Sequence, residues 1–240
     1  MTYFDKERNA IDVARRCQRN WDYNKPVLEE HIEHWIYLAT HAPSKQDESF
    51  FDLYVITDRE KLEFLYRNHT WGFTMLPGAN DYVARNPQMN APVLFVYNMK
   101  VEHLEVRNNN KDGSVRDPNA ASRWDNAYTS VGISSGIVAF SATNLGYNIG
   151  YGKNFGYLEQ PDSQKIWGDT LGIDPEHNRL TYSLGIGYGV EGLDHNESVD
   201  NKEFITKGPL CVNAEVKQMR SDYKYSKLSE TERTIKVFRI

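Results

Sequence analysis

Cysteine is almost missing from this 240-residue chain, which has only Cys17 and Cys211. Two thiols do not build a disulfide framework, and no Cys-x-x-Cys pair offers a zinc site or a redox dithiol. Positive charge is not in excess either. Twenty-eight lysines and arginines stand against 33 acidic residues, a formal net charge of −5. That balance lacks the overall basic footprint of a nucleic-acid coat protein. Long apolar runs are also lacking. The least polar stretch, 131–142, is broken by three serines and two glycines and is too short to span a bilayer. The first residues do not show the charged-then-apolar order of a signal peptide. The expectation is a cytoplasmic protein with neither membrane nor nucleic acid as partner.

What is present is the composition of a globular chain, 40% hydrophobic and 25% charged, long enough to bury a substantial core. Residues 5–20 read as a helix carrying Ile11, Val13 and Ala14. A second helix over 26–40 has Pro26 in its first turn and Ile32, Trp35, Ile36 and Ala39 at helical spacing. Leu53 to Ile56 reads as a short buried strand, and Asp58 is placed to cap a helix over 59–68. A strand from Pro92 to Tyr97 follows a loop at 86–92. Residues 106–118, rich in Asn, Asp-Gly and Asp-Pro, carry turn chemistry. From 119 to 144 there is no proline, Gly146 is placed as a C-terminal cap, and Gly132, Ser135, Gly136, Ala139 and Ala142 form a small-residue surface. A central, deeply buried helix is expected there. Strands are expected at 147–152, 181–187 and 234–240.

Two motifs are misleading. Gly187-Tyr188-Gly189-Val190-Glu191-Gly192 spells a dinucleotide fingerprint, but no apolar periodicity follows to open the helix that motif requires. A strand end passing into a loop is the better reading. Glu30, His31, Glu33 and His34 look like metal ligands, yet neither the zincin nor the di-iron order is present. With Trp35 and Ile36 facing inward, a solvated helix face accounts for them, and no metal is expected.

Other segments point to chemistry when taken in order. Arg15-Arg16-Cys17-Gln18-Arg19-Asn20-Trp21 places Arg15 and Arg19 four apart, on one face if the helix continues, and guanidinium forks suit phosphate oxygens. Then come Ala42-Pro43-Ser44-Lys45-Gln46-Asp47-Glu48-Ser49-Phe50-Phe51, leading into a strand, and the small-residue helix. Last is the exit Leu145-Gly146-Tyr147-Asn148-Ile149-Gly150-Tyr151-Gly152-Lys153-Asn154-Phe155. From about residue 10 to about 190 this succession resembles the nitroreductase family of FMN enzymes. Arg15, Arg16, Arg19, Pro43 and Ser44 match the family's pattern, Trp21 stands for its phenylalanine and Phe51 for its tryptophan. Cys17 replaces a serine, Asp47 an asparagine, Ser49 a glutamine and Ser130 an aspartate.

The resemblance implies an α+β fold, a central, mostly antiparallel sheet flanked by helices, in an intertwined homodimer. It makes 1–240 a single domain, with a loop or lid insertion at about 98–118. The C-terminal segment, about 220–240, would pack on the partner subunit. It also implies two FMN sites built from both chains. Arg15 and Cys17 would approach the phosphate and Arg19 the pyrimidine end of the ring, with Arg16 also among the cofactor-binding residues. Pro43, Ser44, Lys45 and Asp47 would come from the other subunit. Asn86 would contact the ring, and Lys153 and Asn154 would present backbone N–H groups to it. Lys202 and Lys207 are among the candidates for further phosphate ligands. The implied activity is hydride transfer from NADH or NADPH, through FMN, to a flat acceptor such as a nitroaromatic or quinone, in ping-pong order. The alternatives are a specialised flavoenzyme of the same fold, dehalogenating or flavin-modifying, and a flavin-binding protein without turnover.

Overall fold

Residues 93–99, Val-Leu-Phe-Val-Tyr-Asn-Met, are apolar on both sides of an extended chain, and every one of them is buried. Such a strand belongs at the centre of a sheet covered on both faces. The computed structural model describes residues 2–69, 86–100, 120–153 and 161–195, all within one unit spanning Met1–Gly72 and Arg85–Val199. In chain order the elements are α1 (Tyr3–Ala14), α2 (Glu29–Thr40), β1 (Phe51–Ile56), α3 (Arg59–His69), β2 (Val93–Met99), α4 (Ala120–Asn144), β3 (Asn148–Gly152), α5 (Pro161–Leu171) and β4 (Leu180–Gly187). Among the described residues the sheet has four strands in the order β1-β2-β4-β3, and each neighbouring pair is antiparallel. The expected α+β sandwich is present.

Strand alternation divides the core in two. Phe95 and Tyr97 of β2, Leu184 and Ile186 of β4 and Ile149 of β3 point to one face. Ile32, Trp35 and Ala39 of α2 and Ala127, Val131, Val138 and Ala142 of α4 cover it. Leu94 and Val96 point to the other face, against Leu62 and Leu65 of α3 and Trp167 of α5.

Local signals explain most boundaries. Asp58 Oδ1 accepts from the amides of Glu60 and Lys61 (3.0 and 3.1 Å), capping α3. Gly146, at φ 90°, ends α4. There the Tyr147 amide donates to the Ala142 carbonyl and the Gly146 amide to that of Thr143 (3.0 and 3.1 Å), a Schellman cap. β4 stops at Gly187 and no helix opens in the described residues beyond it, so the dinucleotide reading fails as expected. Glu30, Glu33 and His34 are exposed, while His31 turns its Nδ1 to the Tyr147 hydroxyl at 2.9 Å.

Three expectations need correction. The first helix ends at Ala14 with Arg15 as its cap, not at residue 20, so Arg15 and Arg19 do not share a helical face. Gly132 and Gly136 do not line the protomer's interior: a Cβ at either would meet nothing within 4 Å. α4 is buried along Ala127, Val131, Ser134, Val138 and Ala142 but exposes Tyr128 and Ile133. Helix α5 has no counterpart in the sequence reading. β2 continues to Met99, two residues into the insertion expected at about 98–118. The rest of that segment beyond Lys100, Asn154, Lys202, Lys207 and the C-terminal strand and extension lie outside the described residues.

Candidate functional site

The chain leaves α1 at Arg15 and then runs along the sheet rather than continuing as helix. The Gln18 amide donates to the Ile149 carbonyl (2.7 Å), that of Arg19 to His195 (2.9 Å) and that of Asp22 to Tyr188 (2.8 Å). Two polar side chains buried beneath this run hold it in place. Gln18 Nε2 donates to the Asn20 carbonyl (2.9 Å), and Asn20 Oδ1 accepts from the Val190 amide (2.9 Å) while its Nδ2 donates to the Asp194 carbonyl (2.8 Å). Sequence reasoning saw the arginines here and missed both amide side chains. The signal was their position between charged residues in a segment that buries Trp21.

Close approach of this run explains Gly150 of β3. A Cβ at Gly150 would lie 2.9 Å from the Trp21 ring and 3.0 and 3.1 Å from the Gln88 and Gln18 carbonyl oxygens. The glycine-rich exit of α4 therefore makes room for protein.

Cys17 sits at the junction. Its Sγ accepts from the Tyr151 amide and from Gln88 Nε2, each at 3.1 Å. This joins the Arg15–Arg19 run to the end of β3, where Lys153 follows. Arg15 and Arg16 are exposed; Arg15 Nε pairs with Asp12 at 3.2 Å, an exposed contact of little energetic weight that a phosphate could replace. Arg19 is half-buried, and its Nη1 donates to the Cys17 carbonyl at 3.4 Å. Lys153 is exposed, with Nζ 5.9 Å from the centre of the Tyr128 ring. Asn86 is buried, and its Oδ1 caps the 3-10 turn Pro87–Asn90 by accepting from the Gln88 amide (3.2 Å).

A second group, Pro43, Ser44, Lys45 and Asp47, lies between α2 and β1. Lys45–Asp47 forms a 3-10 turn closed by bonds from the Asp47 amide to Ser44 O (3.4 Å) and from the Glu48 amide to Lys45 O (3.2 Å). Asp47 has φ 56°, the sole positive φ of a non-glycine residue among those described. Aspartate and asparagine are the residues that enter this region most readily, so aspartate keeps a backbone that asparagine also fits. Lys45 and Asp47 are exposed. The hydrogen bonds thus anchor the first group to β3 and to residues 188–195 after β4, and the second to the turn before β1.

Between the sheet and α4 runs a row of aromatic rings, Phe51–Tyr97–Tyr182–Tyr151, with centroid spacings of 5.1, 6.3 and 6.2 Å. Burial pushes the Tyr97 phenol up to about 12, against the lowering effect of its bond to Ser134. Burial also pushes Tyr151 up to about 12, with the nearby Cys17 adding to the rise. Tyr182 moves upward too, through burial and then through Tyr151, Cys17 and Tyr97. These phenols are neutral at any working pH and can donate hydrogen bonds but not act as bases. The exposed side chains of the first group, Arg15, Arg16 and Lys153, are cations, which suit an anionic phosphate.

No protein-family model matches the chain, and no curated protein matches it significantly. Solved structures do. A nitroreductase with bound FMN from Bacteroides fragilis is 17% identical, with 80% of this chain and 93% of that one covered at a TM-score of 0.57. An FMN-dependent nitroreductase from Clostridium difficile is 18% identical, with the same coverage of 80% and 93% and a TM-score of 0.53. NfrA2 of B. megaterium, 16% identical, matches over 92% of this chain and 80% of its own at 0.52. The chain has the nitroreductase fold.

Proposed function

We propose that the chain is an FMN-dependent oxidoreductase that works as a homodimer and takes its electrons from NADH or NADPH. The observation that carries this reading is the junction at Cys17, which brings an arginine run and the Lys153 end of β3 together on a fold shared with an FMN-bound protein. The donor set fits the cofactor. Arg15 and Arg16 would hold the phosphate beside Cys17, and Arg19 would lie at the pyrimidine edge. Lys153 and Asn154 would present backbone N–H groups to the ring, and Pro43, Ser44, Lys45 and Asp47 of the partner subunit would complete the site. When bound, FMN supplies two-electron chemistry, receiving hydride equivalents from the nicotinamide donor and passing them to a flat acceptor such as a nitroaromatic or quinone. The protein supplies position and electrostatics. Arg19, permanently cationic, favours negative charge at the ring edge, and the exposed Tyr128 face beside Lys153 offers a surface on which a flat molecule can stack.

The open side of α4 supports the dimer. Gly132 and Gly136 expose backbone on a helix that also exposes Tyr128 and Ile133, so another helix could approach closely there. The deciding experiment is the absorption spectrum of the purified protein. Flavin bands that bleach on adding NADH or NADPH and return with a quinone in ping-pong kinetics support the reading; a colourless protein that does not take up FMN sinks it.

A further inference from the structure

The turn that carries Ser44, Lys45 and Asp47 is braced from outside by two cations. Glu48, directly after it, pairs with Arg123 in the first turn of α4 at 2.5 Å, the two side chains being 21% and 12% exposed. The same guanidinium lies 5.8 Å from the centre of the Phe50 ring, which is buried. On the other side Lys100, just past β2, donates to Ser49 Oγ and pairs with Asp52, each at 3.2 Å.

The two braces are not equal. Asp52 is half exposed, and an ion pair with one partner in water restrains little. The Glu48–Arg123 pair is shielded, and a guanidinium stacked on a ring cannot shift without losing both contacts. Directly before these anchors stands Asp47, whose left-handed backbone is costly and persists where its surroundings over-determine it.

We propose that Arg123 is a positioning residue for the cofactor turn. By holding Glu48 it fixes the left-handed Asp47 and so sets where Ser44, Lys45 and Asp47 point. The inference rests on the flavin reading above, and in it Arg123 acts through Glu48.

The test compares wild type with Arg123→Ala, Arg123→Lys and the charge reversal Arg123→Glu with Glu48→Arg. It reads the FMN dissociation constant by fluorescence quenching and amide hydrogen exchange over residues 44–50 of the apoprotein. Arg123→Ala is expected to weaken FMN binding roughly tenfold, the equivalent of one lost charge-assisted bond. It should also speed exchange of the Asp47 and Glu48 amides while those of β2 stay protected. The reversed pair should recover at least half of both effects. If Arg123→Ala does not fold, Arg123→Lys must show the same pattern in weaker form. Unchanged affinity in a variant whose wild type binds FMN overturns the positioning role alone. Exchange that rises equally in β2 overturns it as well, since Arg123 would then support the whole fold. A wild type that takes up no FMN overturns the flavin reading, and the positioning role falls with it.

Discussion

Cys17 and Tyr151 stand 134 residues apart in the chain and are joined through sulfur. The Tyr151 amide donates to Cys17 Sγ at 3.1 Å, and the thiol points back toward the Tyr151 carbonyl at 3.8 Å. A hydroxyl can make the same pair of bonds at shorter range. Cys17→Ser should therefore retain the fold and bind FMN at least as well as wild type. Cys17→Ala leaves the Tyr151 amide and Gln88 without this acceptor and should cost about 1–2 kcal/mol. Urea midpoints of the two variants check it; equal losses would show that only the volume of the sulfur matters.

The two arginines flanking Cys17 should separate by function. Arg15 caps α1 and is exposed, whereas Arg19 is half-buried with its guanidinium turned to the Cys17 carbonyl. Arg19→Ala should lower the flavin reduction potential and slow reduction by NADH or NADPH roughly ten- to a hundred-fold, because a fixed cation at the ring edge favours the more negative state. Arg15→Ala should instead raise the FMN dissociation constant and leave the potential nearly unchanged. Potentiometry and FMN titration on both variants decide it. The opposite pattern would exchange the roles.

Gly136 offers a test in which protomer and dimer respond with opposite sign. Nothing in the protomer lies within 4 Å of a Cβ built there, so Gly136→Ala should stabilise α4 by about 0.5–1 kcal/mol through helix propensity alone. If a second α4 approaches this face, Gly136→Leu should weaken dimerisation at least tenfold without unfolding the protomer. Sedimentation over a range of concentrations reads the dimer, and thermal unfolding reads the protomer. A dimer indifferent to leucine at this position removes α4 from the interface.

The buried phenols give an alkaline signature. In the folded chain Tyr97 and Tyr151 ionise near 12 instead of their ordinary 10. Each raised value means that the folded state holds its proton longer than the unfolded state. The associated stability is fully present below pH 10 and is lost as pH rises through 12. Unfolding free energy should therefore fall across this window, and less steeply in Tyr151→Phe. Urea titrations at stepped alkaline pH measure the slope; a Tyr151→Phe slope equal to wild type would place the cause elsewhere.

Much of the architecture was legible because its signals are local. Asp58 caps α3 through its own neighbours, and Gly146 ends α4 through bonds spanning three and five residues. The end of α1 was not legible. Residues 15–21 contain no glycine or proline, and they leave the helix because the Gln18 amide finds Ile149 and the Asn20 side chain finds Val190, the latter 170 positions away. The α5 signals were local and were passed over: Pro161 at its start, Ile166 and Trp167 along it, and Gly172 at φ 71° just after it. At the site, the order of the arginine, Pro43–Ser44 and glycine-rich segments was readable. The Glu48–Arg123 pair was not, because no periodicity links residues 75 apart.

The strand order β1-β2-β4-β3 has a consequence for how the chain is made. Only β1 and β2 can pair early, since β4, the other neighbour of β2, ends at Gly187. During synthesis at about 5–20 residues per second, one edge of this wholly buried strand waits several seconds for its partner. An unpaired, hydrophobic edge is a template for wrong pairing with other chains. High-contact-order sheets of this kind fold slowly. Yield at elevated temperature should thus be governed more by how long β2 stands open on the ribosome than by the stability of the finished sheet.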